Sequence, residues 1–371
     1  MPSTALTIDE KFMWQALRLA RRGLGRTSPN PMVGSVVVKN GRIIGQGYHH
    51  YFGGKHAEVN ALENAGIDVA GATIYVTLEP CTHYGKTPPC VDAVIAGGPA
   101  RVVVSMLDPD KRVSGRGLEK LRQAGIETAV GVLEKQCRAL NEAYIKHRST
   151  GVPFVTVKFA QTLDGRIATA TGDSRWISSA ASLKLAHRLR ARHDAVLVGV
   201  GTVLKDDPEL TVRLVRGRNP LRVILDPTLR IPTEAKVLAG QGGARTLIAT
   251  TPAADNDKQA TLCGMGIELE VMPADGAGNV ALPPLLKLLG ERDITSVLVE
   301  GGAAVITSFL REGLADRVIA IIAPKIIGKG IEAVSELNIR EVDQALKLTF
   351  ERVYRSGEDV VVEGRRVGRN E

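Results

Sequence analysis

Apolar and polar residues recur along this 371-residue chain in two rhythms, and the switches between them mark out its elements. Near the N-terminus Phe12, Ala16, Leu19 and Ala20 fall at helical spacing, and Thr7 with Glu10 forms a capping box, so the chain opens with a helix. Two strand-like runs follow, Met32–Lys39 and Arg42–Gly47, joined by Asn40-Gly41. That dipeptide tolerates the positive φ angles of a type I′ turn, which predicts a hairpin. Next come a helix over His56–Ala65, a strand over Thr73–Leu78, a helix start at Pro88-Pro89, a strand over Val102–Ser105 and a helix around Leu118–Ala124 ended by Gly125. The order αββαβαβα describes a layered α/β domain.

Around Arg148–Pro153 a polar stretch with Gly and Pro separates two apolar regions, which predicts domains over residues 1–150 and 151–371. The second half carries strand signals at Phe154–Phe159, Ala195–Val200, Leu221–Leu225, Thr246–Ala249, Ser296–Val299 and Val318–Ala323. Several are continuous Val/Leu/Ile runs, as expected of strands covered on both faces. No long-period repeat or low-complexity tract is present. The length suits two cores better than one.

Composition narrows the function classes. Apolar residues at 44% and charged residues at 24% belong to a globular protein. No apolar run is long enough for a transmembrane helix, and Met1–Glu10 lacks the layout of a secretory signal, so a cytoplasmic protein without membrane partners is expected. Four cysteines (Cys81, Cys90, Cys137 and Cys263) are too few for a disulfide scaffold. Cys137 and Cys263 read as isolated, buried small hydrophobes. The net charge of +8 is dispersed, apart from Arg18, Arg21, Arg22 and Arg26 at a helix end, where cations also complement the helix dipole.

The chemistry concentrates at His56-Ala57-Glu58, Pro80-Cys81 and Cys90. Three N/S donors leave a fourth position open, which distinguishes catalytic from structural zinc sites. Water in that position has its pKa lowered to roughly 7, so hydroxide is available at neutrality. Glu58, two residues beyond a ligand, is placed to take the water's proton and pass it to a leaving amine. Both cysteines lie at or near predicted helix starts, where thiolates are stabilised. The competing reading closes a structural site with His83, but such a site has no use for Glu58.

At these residues the chain resembles the zinc-dependent cytidine-deaminase-like superfamily, whose pattern is H-x-E…P-C-x-x-C. Here the stretch Pro80-Cys81-Thr82-His83-Tyr84-Gly85-Lys86-Thr87-Pro88-Pro89-Cys90 is longer. With Pro29-Asn30-Pro31-Met32-Val33-Gly34 and Thr77-Leu78-Glu79-Pro80-Cys81, it is similar to the deaminase half of the bifunctional riboflavin-biosynthesis deaminase–reductases. The resemblance implies deamination of 2,5-diamino-6-(5-phosphoribosylamino)pyrimidin-4-one by zinc hydroxide. It places Asn30 and His49 on the ring side and Lys86 and Thr87 on the ribose phosphate. On the residues alone, Asn30 reads equally as a turn residue before Pro31.

In the second half Gly199-Val200-Gly201-Thr202 and Glu300-Gly301-Gly302 follow strands, where glycines let backbone N–H groups approach a phosphate. Tight turns are the plainer reading, and Gly199-x-Gly201-x-x-Leu204 lacks the third glycine of the dinucleotide fingerprint. Lys158–Arg166, Gly172–Trp176 and Asp206-Asp207-Pro208 resemble the reductase of the same pathway, similar in fold to dihydrofolate reductase. That resemblance implies NADPH bound by Ala160, Thr202, Asp206, Gly301 and Gly302, and substrate held by Ser174, Trp176, Arg190, Leu210, Arg213 and Glu300. Lys158 and Asp206 would manage protons, although a strand Lys158 also fits a snorkelling edge residue. Arg190 and Arg213 suit a phosphate because the guanidinium fork grips oxygens in pairs; for Arg190 a surface salt bridge is the alternative. A homo-oligomer is expected.

The sequence departs from the family at Ser35, where Cys or Ala is expected, and at Asp110-Lys111, where Asn-Pro is expected. Two rival functions compete with this reading. A nucleic-acid deaminase, such as a tRNA adenosine editor with an accessory domain, is disfavoured by the long Cys81–Cys90 loop and an aromatic content of only 4%. A non-enzymatic zinc module fused to a binding domain leaves Glu58 without a purpose.

Overall fold

The computed structural model describes residues 6–66, 69–110, 114–240 and 243–367, so Lys111 of the departing loop lies outside the described residues. The chain divides into two compact units, Met1–Gly151 and Val152–Glu371.

In the first unit α1 (Ile8–Ala20) opens on the expected capping box, with both reciprocal Thr7–Glu10 bonds formed. The hairpin β1 (Gly34–Lys39) and β2 (Arg42–Tyr48) turns at Asn40-Gly41, both at positive φ. Then follow α2 (Ala57–Ala65), β3 (Thr73–Val76), α3 (Cys90–Gly97), β4 (Arg101–Val104) and α4 (Arg116–Gln123). Three further elements, β5 (Glu127–Val130), α5 (Glu134–Leu140) and α6 (Glu142–Thr150), extend the pattern beyond what periodicity revealed. β5 is a short edge strand with no fully buried residue, so its apolar signal is weak. The polar stretch read as a boundary begins inside α6, which ends at Gly151 in the left-handed region (φ 75°).

The sheet order is β2-β1-β3-β4-β5, with β3, β4 and β5 parallel. Successive strand residues serve opposite faces. Val36, Val38, Tyr75 and Val103 meet Phe12, Met13, Ala16 and Leu19 of α1. Val37, Ile74, Val76, Val102 and Val104 join a second core with α2, α3 and α4. Three layers result. Close approach of α2 to β2 requires glycine: a Cβ at Gly45 or Gly47 would lie 2.3 or 2.5 Å from the backbone of Ala61. That contact fixes the N-terminal end of α2, where His56 and Glu58 sit.

The second unit comprises β6 (Phe154–Thr162), β7 (Arg166–Thr169), α7 (Ala180–Arg192), β8 (Ala195–Gly199), α8 (Val200–Asp206), β9 (Leu221–Leu225), β10 (Thr246–Thr250), α9 (Asn256–Gly264), β11 (Glu268–Val271), α10 (Leu282–Glu291), β12 (Ser296–Gly301), α11 (Ala303–Arg311), β13 (Arg317–Ala323), β14 (Gly330–Glu332), β15 (Leu348–Ser356) and β16 (Asp359–Arg366). Nine strands run in the order β11-β10-β9-β8-β12-β6-β13-β16-β15, parallel through β13, with the terminal hairpin added antiparallel. Both faces are covered, as the continuous apolar runs predicted: Leu197, Val223 and Val299 pack on α10 and α11, while Val196, Ile224 and Ile248 pack on α8 and α9. β7 and β14 form a separate pair.

Candidate active site

The first unit assembles its chemistry where α2, β3 and α3 converge. His56 is the N-cap of α2, Cys81 follows β3 and Cys90 opens α3. The donor atoms of these three residues all lie within 4.8 Å of one another. His56 Nδ1 stands 2.9 Å from Cys90 Sγ and 3.6 Å from Cys81 Sγ. Cys81 belongs to a loop rather than to a helix start, correcting the sequence expectation. The dipole reaches it nonetheless, because the Cys90 amide donates to Cys81 Sγ at 3.3 Å. Hydrogen bonding with Cys90, reinforced by His56, draws the Cys81 thiol down to about 4. Cys90 shares that bond from the deeper position and is pushed well above its ordinary value. One imidazole nitrogen and two sulfurs, one already disposed to be thiolate, fit zinc. His83 is exposed and outside the cluster, so it does not close the site.

Glu58 lies in the first turn of α2, 3% exposed, and its burial raises the carboxyl to about 7 despite the attraction of His56. It faces the same cavity, of about 240 Å³, as His56, Cys81, Asn30, His49, Lys86 and Thr87. Asn30 combines both of its sequence readings. Its N–H closes a turn on Thr27 O (2.8 Å), and its Nδ2 lies 3.2 Å from His49 Nε2. His49 Nδ1 meets Lys55 O at 3.1 Å, which assigns the Nδ1–H tautomer with Nε2 accepting from Asn30. Burial lowers the His49 pKa and keeps the ring neutral. Lys86 is exposed on the cavity wall, its ammonium 3.9 Å from the centre of the Phe52 ring.

Three structural supports were not singled out from the sequence. Glu79, buried three residues beyond β3, accepts N–H groups from Asp108, Gly115, Gly117 and Leu118. Burial lifts Asp108 to about 6, and it accepts the Tyr144 hydroxyl (2.9 and 3.2 Å) and the Asp110 N–H (2.9 Å). The only signal for Glu79 was its place beside Pro80-Cys81; its partners come from a distant loop.

In the second unit Lys158 and Ala160 lie on β6, and Glu300 and Gly301 on the adjacent parallel strand β12. Arg190 of α7 grips Glu300 through Nε–Oε1 and Nη2–Oε2, both 2.7 Å, and its Nη1 donates to Thr211 O. The pair is buried, which corrects the surface-bridge alternative. The fork is also occupied by a carboxylate. Burial alone would raise Glu300, but Arg190 and then Lys158 hold it below its ordinary value. Lys158 is desolvated, which lowers its pKa against the pull of Glu300, so it is no snorkelling edge residue.

Thr202 meets the paired glycines: a Cβ at Gly301 would come within 3.0 Å of its Oγ1, and Gly302 holds φ 67°. Asp206 ends α8 and takes Arg175 Nη2 on its carbonyl oxygen (2.8 Å). That tethers the loop carrying Ser174 and the exposed Trp176, which Lys325 holds through the Trp176 carbonyl (2.6 Å). Leu210 is buried at φ 54°. Arg213 donates to Glu209 and Thr211 side chains, and its N–H to His187 Nδ1. Ala160 is half-buried on β6. Among the described residues no hydrogen bond joins Lys158 to Asp206.

Comparison with known proteins places both units. Residues 6–106 match the family model described as cytidine and deoxycytidylate deaminase zinc-binding region, and residues 153–362 match the RibD C-terminal domain. A riboflavin biosynthesis protein RibD of Aquifex aeolicus is 49% identical over 96% of this chain and 98% of its own length. The solved structure of Acinetobacter baumannii RibD, form 1, aligns with a TM-score of 0.89 at 36% identity, covering 97% of this chain and 99% of that one. A Thermotoga maritima structure, a diaminohydroxyphosphoribosylaminopyrimidine deaminase/5-amino-6-(5-phosphoribosylamino)uracil reductase, aligns with a TM-score of 0.86 at 43% identity over 97% and 99%. The expected cytidine-deaminase-like and dihydrofolate-reductase-like folds both hold.

Proposed function

The chain belongs to the RibD family of bifunctional riboflavin-biosynthesis enzymes, deaminases and reductases in one polypeptide, and from that premise we propose how its residues divide the work. The unit ending near residue 150 deaminates 2,5-diamino-6-(5-phosphoribosylamino)pyrimidin-4-one at the 2-amino carbon. The following unit reduces the ribose of the product to a ribityl chain with NADPH.

His56, Cys81 and Cys90 would hold the zinc ion. When bound, zinc supplies Lewis-acid activation of water near neutral pH. Glu58 accepts the proton that the attacking water loses and returns it to the departing amino group, which leaves as ammonia. Its carboxyl, raised to about 7, is poised for both directions of transfer. Asn30 and the neutral His49 orient the polar ring edge, and Lys86 and Thr87 take the phosphate.

Ala160, Thr202, Asp206 and the Gly301–Gly302 turn would hold NADPH, which when bound would supply the hydride for the ribose carbon. Lys158, with Asp206, manages the proton that accompanies sugar-ring opening; a desolvated lysine gives up a proton readily. Ser174, Trp176, Leu210 and Arg213 bind the substrate. Arg190 acts there through Glu300, which it fixes from both oxygens.

The partners are read as a small phosphorylated pyrimidine, with no nucleic acid or membrane. Among the described residues no helix is long and apolar enough to cross a bilayer. Free cysteines suit a cytoplasmic setting, and the exposed Phe350 and Val353 on edge strand β15 suit pairing with a second copy.

The observation that carries the reading is the nitrogen and two sulfurs gathered within 4.8 Å beside a buried carboxyl. Glu58→Ala tests it: deamination should fall by about 10²–10⁴-fold while zinc content stays stoichiometric. Unchanged turnover, or zinc lost with the carboxyl, refutes the assigned role.

A further inference from the structure

We propose that Phe52 is a positioning residue for phosphate recognition: its ring holds the Lys86 ammonium at the mouth of the deaminase cavity before substrate arrives. The inference rests on the reading of Lys86 as the phosphate-binding cation.

Lys86 sits in the long stretch between the two zinc-binding cysteines and is exposed. A four-carbon ammonium arm there samples many rotamers, and docking a ligand onto it costs that freedom. Here the arm has a seat. The ammonium stands 3.9 Å from the Phe52 ring centroid, within the range of a cation–π contact. Its stem lies alongside Gly53 (φ 85°), where a Cβ would be in van der Waals contact with Lys86 Cδ at 3.4 Å. The platform is itself tethered, since the Phe52 N–H donates to Arg26 O at 3.2 Å and the Gly54 N–H to Tyr51 O at 3.0 Å. Phe52, Gly53, Gly54, Lys86 and Thr87 all face the one cavity.

The choice of partner has a chemical consequence. Lys86 forms no ion pair among the described residues. A carboxylate partner would compete with an incoming phosphate and have to be displaced. An aromatic face fixes the nitrogen without consuming the charge, and leaves ammonium N–H groups on the far side free for phosphate oxygens.

The experiment compares wild type, Phe52→Ala, Phe52→Leu, Phe52→Tyr, Lys86→Ala and the Phe52→Ala/Lys86→Ala double variant in the zinc-loaded full chain. Each is assayed for deamination of the phosphorylated pyrimidine and of its dephosphorylated ribosyl counterpart, and titrated calorimetrically with ribose 5-phosphate. Phe52→Ala and Phe52→Leu should raise KM for the phosphorylated substrate about two- to five-fold, the worth of an exposed cation–π contact, with kcat unchanged. Phe52→Tyr should restore it, the dephosphorylated substrate should be indifferent, ribose 5-phosphate affinity should follow KM, and the double variant should be no worse than Lys86→Ala. Wild-type KM in Phe52→Leu, an equal loss on the dephosphorylated compound, or additive losses would each overturn the inference. If Lys86→Ala leaves phosphate discrimination intact, the underlying assignment of Lys86 fails instead.

Discussion

Glu79 tests how the deaminase site is built. Each of its carboxylate oxygens takes two backbone N–H groups: Oε1 those of Gly117 (2.9 Å) and Leu118 (3.4 Å), Oε2 those of Gly115 (2.9 Å) and Asp108 (3.3 Å). Glu79→Gln preserves shape but turns one oxygen into an NH₂ that confronts two donors, so one pair loses its acceptor. Two buried donors stranded in this way cost about 2–3 kcal/mol. Glu79→Ala strands both pairs and leaves a void, at about 4–5 kcal/mol, the upper end for one substitution. The damage also reaches the proposed metal ligand Cys81. Gly117 lies so close that a Cβ there would stand 2.3 Å from Pro80 O, so the loop that Glu79 gathers braces the peptide leading into Cys81.

The chain has two tryptophans, Trp14 and Trp176, one in each unit. In a Trp176→Phe background, urea unfolding followed by Trp14 fluorescence therefore reports the first unit alone. The midpoint should fall in the order wild type, Glu79→Gln, Glu79→Ala, with zinc content and deamination declining in step. An unchanged midpoint for Glu79→Gln refutes the reasoning, because a donor placed against two donors cannot be neutral.

Cys81→Ser should release zinc and abolish deamination while NADPH-dependent reduction of the deaminated compound persists; loss of both activities would contradict separate sites. Arg190→Met should destabilise the second unit by about 3–5 kcal/mol by leaving Glu300 a buried unpaired charge, and Arg190→Met/Glu300→Leu should recover most of it, read from Trp176 fluorescence in a Trp14→Phe background. A double variant as unstable as the single one would mean the pair is not the cause. Asp108 has a folded-state pKa of about 6 against an ordinary 3.8, so folding favours its protonated form. Its share of stability is present below about pH 4 and lost as pH rises through 6, about 3 kcal/mol in all, set by burial and by the Asp110 and Glu79 charges against the opposing Asp110 N–H and Tyr144 hydroxyl. Asp108→Asn, which still accepts from Tyr144, should flatten that slope; parallel pH–stability curves for the two chains would rule it out.

The site was legible where its chemistry is local. His56 and Glu58 lie two residues apart, and Cys81 directly follows Pro80, so residue type and spacing were enough to bring the proposed metal ligands forward. The elements carrying them were legible for the same reason: a capping box, an Asn-Gly turn and helical periodicity are short-range signals. Of the two cysteines read as buried, Cys137 is buried, but Cys263 is exposed on α9, where Leu262 takes the inward position. The elements that failed were short or half-covered. β5 and the three-residue β14 present too few buried positions for periodicity to register.

The long-range carboxylates escaped for a different reason. Glu79 reads as a strand-end residue until α4 and its preceding loop bring four N–H groups to it from more than 25 positions away, and no spacing rule encodes that. Arg190 shows the same limit from the other side. Its residue type suggested an anion partner, but only the approach of α7 to the end of β12 shows that the anion is the protein's own Glu300. Such a buried pair stabilises little by itself, since desolvation offsets most of the attraction. Its effect is geometric: a carboxylate held on both oxygens cannot turn, and Lys158 beside it stays in one fixed field. The reductase half thus depends on a partnership spanning 110 positions of sequence, whereas the deaminase centre grew from motifs a few residues long.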